Sequence, residues 1–410
     1  MSTAQDTSSG TLADLPYLDM ESEDFLAAAY ERLDAMRRRT WAARTDMGVV
    51  LLSHTAIQTL STDSRLMQPG VQVWKYQGVT GGLAYDWWES MLVNLEGAAH
   101  SRIRRLVAAA FSPKNINRYR PMIREQVQNL ADSLPVDEPF DFVERYADPL
   151  PIQLTCAILG VDPADVTKFG RWAGDVTLIG PARLKQNLPR IEAALQGLFD
   201  YVEYLVTKRH EHQGDDLVSV LLRAQEDGDR LSLDELKSLI VLLLVGGLDT
   251  TRFALAWTLV TFLNRPDDWA ELAANPDLAP SVTEEMLRHR PAIMENYRIA
   301  SADLDYEGVT IPAGTLITIS RAAANWDDAC ALDGKQFQLH REPSPHITFG
   351  KGAHYCLGAP LARAELEETL RTLPALMGPI RPEGTPRFRL PRMISGPEYV
   401  PMSCGRRKSD

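Results

Sequence analysis

The sequence predicts a mostly α-helical fold with small β-sheets, on three observations. Apolar residues recur at helical spacing through several long segments. Short strand-like runs bounded by turn residues interrupt them. No Pro-, Gly- or Ser-rich linker divides the 410 residues. Residues 1–15 are small and polar and are expected to be a disordered tail. Residues 16–403 are expected to form a single domain, followed by a polar tail over 404–410. Met47 to Leu52 reads as a strand. AHSRIRRLVAAAFS carries Ile103, Leu106, Val107 and Phe111 at helical spacings, and Ile191, Leu195, Leu198 and Val202 form the stripe of a longer helix. The longest helix starts at Ser232, where Ser232 and Glu235 form a capping box, and runs to about Asn264, before Pro266. A second capping box, Ser281 with Glu284, is expected to open SVTEEMLRHR. Leu304 to Ile319 reads as strands turning at Tyr306-Glu307-Gly308 and Pro312-Ala313-Gly314. Phe388 to Pro401 reads as a strand pair split at Ser395-Gly396-Pro397.

Composition narrows the function classes. Asp and Glu number 55 against 43 Lys and Arg, a formal charge of −12, and no long basic run is present. Nucleic acid is therefore an unexpected partner. The four cysteines, Cys156, Cys330, Cys356 and Cys404, form no CxxC pair, which argues against a structural zinc site or a disulfide scaffold. The start, MSTAQDTSSG, lacks the basic and apolar regions of a signal peptide. The longest apolar run, Leu239 to Leu248, is too short to span a bilayer. A soluble cytoplasmic protein, acting as a monomer without a membrane, is expected.

Four patterns carry chemistry. In FGKGAHYCLGAPLARAELEETL, Phe349 to Leu370, Cys356 follows Gly350 and Gly352 and precedes Gly358 and a helix. Backbone N–H groups at a helix start favour a thiolate, and glycines let backbone pass close to a large flat ligand. The other cysteines read as small buried hydrophobes. The second pattern, LLLVGGLDTT, places Gly246 and Gly247 inside the longest helix, where two glycines cost roughly 1 kcal/mol each. A Thr250 hydroxyl bonded back to the Gly246 carbonyl could open the helical ladder and admit water. Glu285 and Arg288, an ExxR, share one helix face, as do His100 and Arg104, four residues apart.

Together these resemble the cytochrome P450 family, from about residue 45 to the end and in the family's order. The pattern FGxGxHxCxG is met by Phe349, Gly350, Gly352, His354, Cys356 and Gly358, and continues through Ala359, Leu361, Ala362, Arg363 and Glu365. Asn325 and the closing GPEYVP also fit. The resemblance implies a triangular-prism fold with haem b between the long central helix and the cysteine loop. It implies Cys356 as the metal ligand, with Phe349 beside the sulfur. A thiolate pushes electron density onto iron and favours O–O cleavage. His100, Arg104, Arg298 and His354 would hold the haem propionates. Gly246, Asp249 and Thr250 would form the oxygen-activation motif, with Asp249 relaying protons and Thr250 holding a water. Glu285 and Arg288 would be a structural charge pair, joined by Arg341. Three departures stand out: Glu96-Gly97-Ala98-Ala99 before His100, Pro291 one residue early, and Asp249 where Glu is commoner.

The implied activity is that of a soluble bacterial-type monooxygenase that oxidises, most simply hydroxylates, a bulky apolar or aromatic small molecule, as in natural-product biosynthesis. Electrons would come from NAD(P)H through a separate ferredoxin reductase and ferredoxin, since no fused flavin or iron–sulfur domain is expected. Arg102, Arg105, Lys114, Lys351 and Arg363 are the expected ferredoxin-docking patch. By position, Gln68, Trp87, Trp88, Leu242, Val245, Ile293, Met294, Met393 and Ile394 are the expected substrate pocket, and Glu295 and Asn296 could add polar contacts. Peroxide-driven oxidation, aromatic coupling or nitration, and a non-enzymatic haem sensor are the competing readings.

Overall fold

The central helix organises the molecule. In the computed structural model, which describes residues 10–179, 184–226 and 228–406, it runs unbroken from Leu233 to Leu263. Ser232 Oγ accepts from the Glu235 N–H, and the Glu235 carboxylate accepts from the Ser232 N–H, so the expected capping box is formed. The helix ends at Asn264, and Pro266 opens the next one at a position where its missing N–H costs nothing. Its 31 residues are long and apolar enough to cross a membrane by length and composition, more than the sequence run suggested. They serve instead as core. Leu239, Val241, Leu244, Leu255, Leu259 and Phe262 are buried, and the helix packs on Pro149–Leu159, Leu184–Glu211 and Ala359–Leu376. Burial lapses at one place: from Leu242 to Thr250 every residue but Leu244 is half-buried or exposed, and Gly246 is exposed.

Around it the expected helices appear. Gly97–Ala108 buries His100, Ile103, Leu106 and Val107. Leu184–Glu211 buries Ile191, Leu195, Leu198 and Val202, the stripe read from the sequence. Ala279–His289 carries the ExxR pair, and Ala359–Leu376 follows the cysteine loop.

The largest sheet has five strands in the order Ala42–Thr45, Gly48–Leu51, Leu316–Ser320, Glu295–Ala300, Leu66–Met67. Gly48–Leu51 pairs in parallel with Leu316–Ser320, and the remaining pairs are antiparallel. The hairpin Leu304–Tyr306 with Val309–Ile311 turns at Glu307 and Gly308, both at positive φ (49° and 76°). That is the two-residue turn that matches strand twist. A three-stranded sheet joins Met377–Pro382, Pro401–Arg406 and Phe140–Asp141.

Three expectations are corrected. Residues 10–15 of the expected tail are folded: Thr11 and Asp14 cap a short 3-10 turn, Leu15 is buried, and Gly10 N–H donates to the Gly308 carbonyl at 2.7 Å. Residues 1–9 lie outside the described residues. The C-terminal polar tail is a strand as far as Arg406, because Cys404 is buried and pairs with Ile380, and 407–410 lie outside the described residues. Ser281 is inside its helix rather than at the cap. The helix starts at Ala279 behind Leu278, and Ser281 Oγ donates to the Leu278 carbonyl.

Candidate active site

The loop before the Ala359–Leu376 helix turns on two glycines. Gly350 (φ 75°) and Gly352 (φ 72°) take a left-handed conformation that costs other residues energy, and Cys356 N–H closes the turn by donating to the Phe349 carbonyl at 2.9 Å. The Cys356 side chain is solvent-accessible, and desolvation by the surrounding protein raises its thiol pKa. The backbone N–H groups of Gly358 and Ala359 and the charges of Arg321 and Arg104 pull the other way without overcoming burial. A metal ion bound to the sulfur would remove the proton outright.

A cluster of basic side chains meets this loop. His100 and Arg104, one turn apart on their helix, both reach it. The His100 ring lies 4.3 Å from the His354 ring, and Arg104 Nη2 donates to the Tyr355 carbonyl at 2.6 Å. His354 Nε2 is 3.3 Å from a Glu96 carboxylate oxygen. Arg298 projects from Glu295–Ala300 and donates to Gln68 Oε1 at 3.0 Å. Burial lowers the pKa of His100, His354 and Arg104, and lowers that of Arg298 to about 10. Neither Arg104 nor Arg298 is ion-paired with a carboxylate among the described residues. Partly buried guanidiniums without anions are costly, and two haem carboxylates would complete them. A planar cofactor with two acids and a thiolate-seeking metal therefore fits this donor set.

The central helix supplies open space. A Cβ added at Gly246 would meet no atom within 4 Å beyond its own stretch of helix. Thr250 Oγ1 donates to the Gly246 carbonyl at 2.7 Å, the expected bond. The ladder does not open, however, because the hydroxyl adds a second donor to a continuous helix. Val245 and Leu248 of this stretch pack on the same core as Leu357 and Leu361 behind the cysteine. Asp249 is ion-paired to Arg389 at 2.7 Å and to Arg252 at 3.0 Å.

A rigid frame backs the loop. Arg288 is fully buried. Its Nε and Nη2 donate to the two Glu285 oxygens at 2.7 and 2.8 Å, and the other donors reach the carbonyls of Asn325, Gly334 and Gln336. Arg341 Nε adds a contact to Glu285 at 3.0 Å. Asn325 ties this pair to the loop, donating to the Arg288 carbonyl and to Thr348 Oγ1 and accepting from the Ile347 N–H. Beside it Glu284 accepts twice from Arg363, at 2.6 and 2.9 Å, and faces His346. Burial alone would raise the Glu284 pKa, but the bonds from His346 and Arg363 win and lower it from 4.5 to about 2.

A folded-state pKa below the unfolded one means stability that is complete above the unfolded value of 4.5 and lost as pH falls toward about 2. The contribution is at most roughly 3 kcal/mol. Acid melting of Glu284→Gln against the native chain should show the difference between them shrinking over that window. A difference that stays constant down to the lower limit would refute the assignment.

Several pocket expectations need correction. Trp87 is a core residue, 3% exposed, with its indole N–H toward the Ser238 carbonyl. Gln68 serves Arg298, and its backbone N–H donates to Glu96. Met294 is buried in a separate core with Met20, Phe25 and Leu33. Alternation along Glu295–Ala300 puts Glu295 and Tyr297 on one face, where they bond to each other, so Glu295 serves Tyr297 and the Met393 N–H. Trp88 remains half-buried, stacked on Trp74 at 5.4 Å, with its N–H on the Gly70 carbonyl. Leu242, Val245, Ile293, Met393 and Ile394 are placed less deeply than that core: all five are half-buried, and an isolated bridge joins Ile293 to Ile394. The docking patch is also altered. Arg102 is engaged by Asp229 and Glu235, at 2.6 and 2.5 Å, and Arg363 by Glu284. Sequence reasoning missed Arg321, which lines a small cavity with Asn296, Arg298, Gly350 and His354. A lone Arg after a strand gives no local signal.

Comparison with known proteins agrees with this geometry. A family model described as Cytochrome P450 matches residues 181–373. Luteothin monooxygenase of Streptomyces thioluteus is 33% identical over 396 residues, 96% of this chain and 97% of that protein. Mycinamicin IV hydroxylase/epoxidase of Micromonospora griseorubida is 35% identical over 319 residues, 76% of this chain and 79% of that protein. The solved structure of Cytochrome P450 CYP109Q5 from Chondromyces apiculatus superposes with a TM-score of 0.86 at 25% identity, covering 96% of this chain and 99% of that one. Similarity that strong, running nearly end to end through both the loop and the central helix, means that the chain belongs to the cytochrome P450 family.

Proposed function

We propose that this monooxygenase oxidises a bulky apolar or aromatic small molecule of secondary metabolism, with electrons from a separate ferredoxin and its reductase. Relatives named luteothin monooxygenase and mycinamicin IV hydroxylase/epoxidase are oxygenases of named small molecules, and they support oxidation of a small molecule here. Haem b is the family's cofactor, fed by NAD(P)H through redox partners, and when bound it supplies the oxidising chemistry. Cys356 ligates the iron. His100, Arg104, Arg298 and His354 hold the two carboxylates. Glu285 and Arg288 keep the loop in register. Gly246 leaves room for a small ligand, and Asp249 relays protons by exchanging its Arg389 and Arg252 partners. Leu242, Val245, Ile293, Met393, Ile394 and Trp88 face the substrate.

One observation carries the oxygen-activating reading: the Thr250 hydroxyl, bonded to the Gly246 carbonyl, lies next to the only exposed residue of the Leu242–Thr250 stretch. A hydroxyl held there can keep a water in place for proton transfer. Ligands that shift the haem Soret band identify working substrates, and the Thr250→Ala variant is then assayed with them. Product formed per NADH should fall about a hundredfold or more, with peroxide released instead. Unchanged product yield with ferredoxin would sink the oxygen-activating role. Full activity with peroxide alone in both proteins would favour the peroxide-driven alternative.

A further inference from the structure

Sheet register brings a third guanidinium to the site. Glu295–Ala300 pairs with Leu316–Ser320 so that Asn296 lies opposite Ile319 and Glu295 opposite Ser320. Asn296 and Arg298, two apart, share one face of their strand. The next residue after the pairing, Arg321, begins a short helix with its N–H anchored on the Met294 carbonyl at 2.8 Å. Its side chain is thereby delivered to that same face.

The guanidinium is fixed on one side and free on the other. Nε donates to Asn296 Oδ1 at 3.1 Å and Nη1 to the Thr348 carbonyl at 2.8 Å. Nη2 has no acceptor among the described residues and lies 3.6 Å from where a Cβ on Gly350 would stand. The cavity beside it is lined by Asn296, Arg298, Gly350 and His354. Arg321 also has no carboxylate partner among the described residues. Its pKa is lowered to about 10 by burial and by the neighbouring Arg298. Two guanidiniums that repel each other, held by neutral acceptors around one cavity, form a receptor for an anion.

We propose that Arg321 is a further anchor for a haem carboxylate, its free Nη2 completing with Arg298 and His354 a three-sided grip. The proposal rests on the reading that haem b sits on Cys356.

Haem transfer from the purified holoenzyme to excess apomyoglobin tests it, together with the propionate-bending bands of the resonance Raman spectrum. Loss of one charge-assisted bond should speed haem release from Arg321→Gln by roughly tenfold. The propionate bands should shift while the iron–thiolate band stays in place. Equal release rates, or faster release with unshifted propionate bands, would overturn the proposal, the latter meaning that Arg321 only braces the fold. Should the Gln variant not fold, Arg321→Lys decides. A point charge lacking the fork should still shift the propionate bands and release haem several-fold faster, and unshifted bands would again overturn it. Failure of the underlying haem reading shows separately, as native protein without a thiolate-type carbon-monoxide spectrum.

Discussion

Cys356→Ser should abolish the reduced, carbon-monoxide-bound spectrum of the native protein and bring turnover to background. Nothing else in the loop can replace the sulfur. The nearby side chains are the imidazoles of His100 and His354 and the guanidiniums of Arg104 and Arg321, and none of them supplies an anionic sulfur. A serine hydroxyl differs from a thiol by one atom, and Cys356 makes no contact essential to the core, being accessible by area. Stability of the haem-free chain should therefore change by less than about 1 kcal/mol. Fold and ligation are thus separable, with circular dichroism melting reporting the first and the spectrum the second. A serine variant with the native spectrum would remove Cys356 from the metal.

Arg288→Ala should be the most destabilising single change in the protein. It leaves the Glu285 carboxylate buried with Arg341 as its remaining charged partner, and it strips a donor from the Asn325, Gly334 and Gln336 carbonyls. Breaking such a buried pair costs about 3–5 kcal/mol, against a total stability of roughly 5–15 kcal/mol for a native protein. Arg288→Lys should recover little, because an ammonium cannot grip both carboxylate oxygens and reach the carbonyls together. The denaturant midpoint of soluble protein measures the loss. A loss below about 1 kcal/mol, the size of an ordinary substitution, would show that the pair is replaceable.

What the sequence revealed was what depends on neighbours in the chain. The Ser232–Glu235 capping box and Pro266 delimit the central helix because both act within one turn. His100 with Arg104 and Glu285 with Arg288 are one-turn pairs, and they do share a face in the fold. The glycines around Cys356 could be read because a reversing loop needs them. What stayed hidden depends on pairing between distant segments. Arg321 joins the site only through strand register with Asn296. Arg102 looked like a surface cation until the Asp229–Arg230 strand and Glu235 came alongside it. Trp87 and Trp88 are adjacent and equally aromatic, and only the direction of their helix decides which one is core. Asp249 keeps its carboxylate as expected, but its partner Arg389 comes from a C-terminal loop 140 residues away.

The pairing of Gly48–Leu51 alongside Leu316–Ser320, and of His100 with His354, sets an order of events in biosynthesis. These partners are separated by most of the chain, so neither contact can form while the ribosome still holds the last third. A nascent fragment carries the central helix without the Ala359–Leu376 helix that packs on it, and without Cys356 or His354. Loading therefore waits until the C-terminal third has left the ribosome, since these contacts join segments more than 250 residues apart.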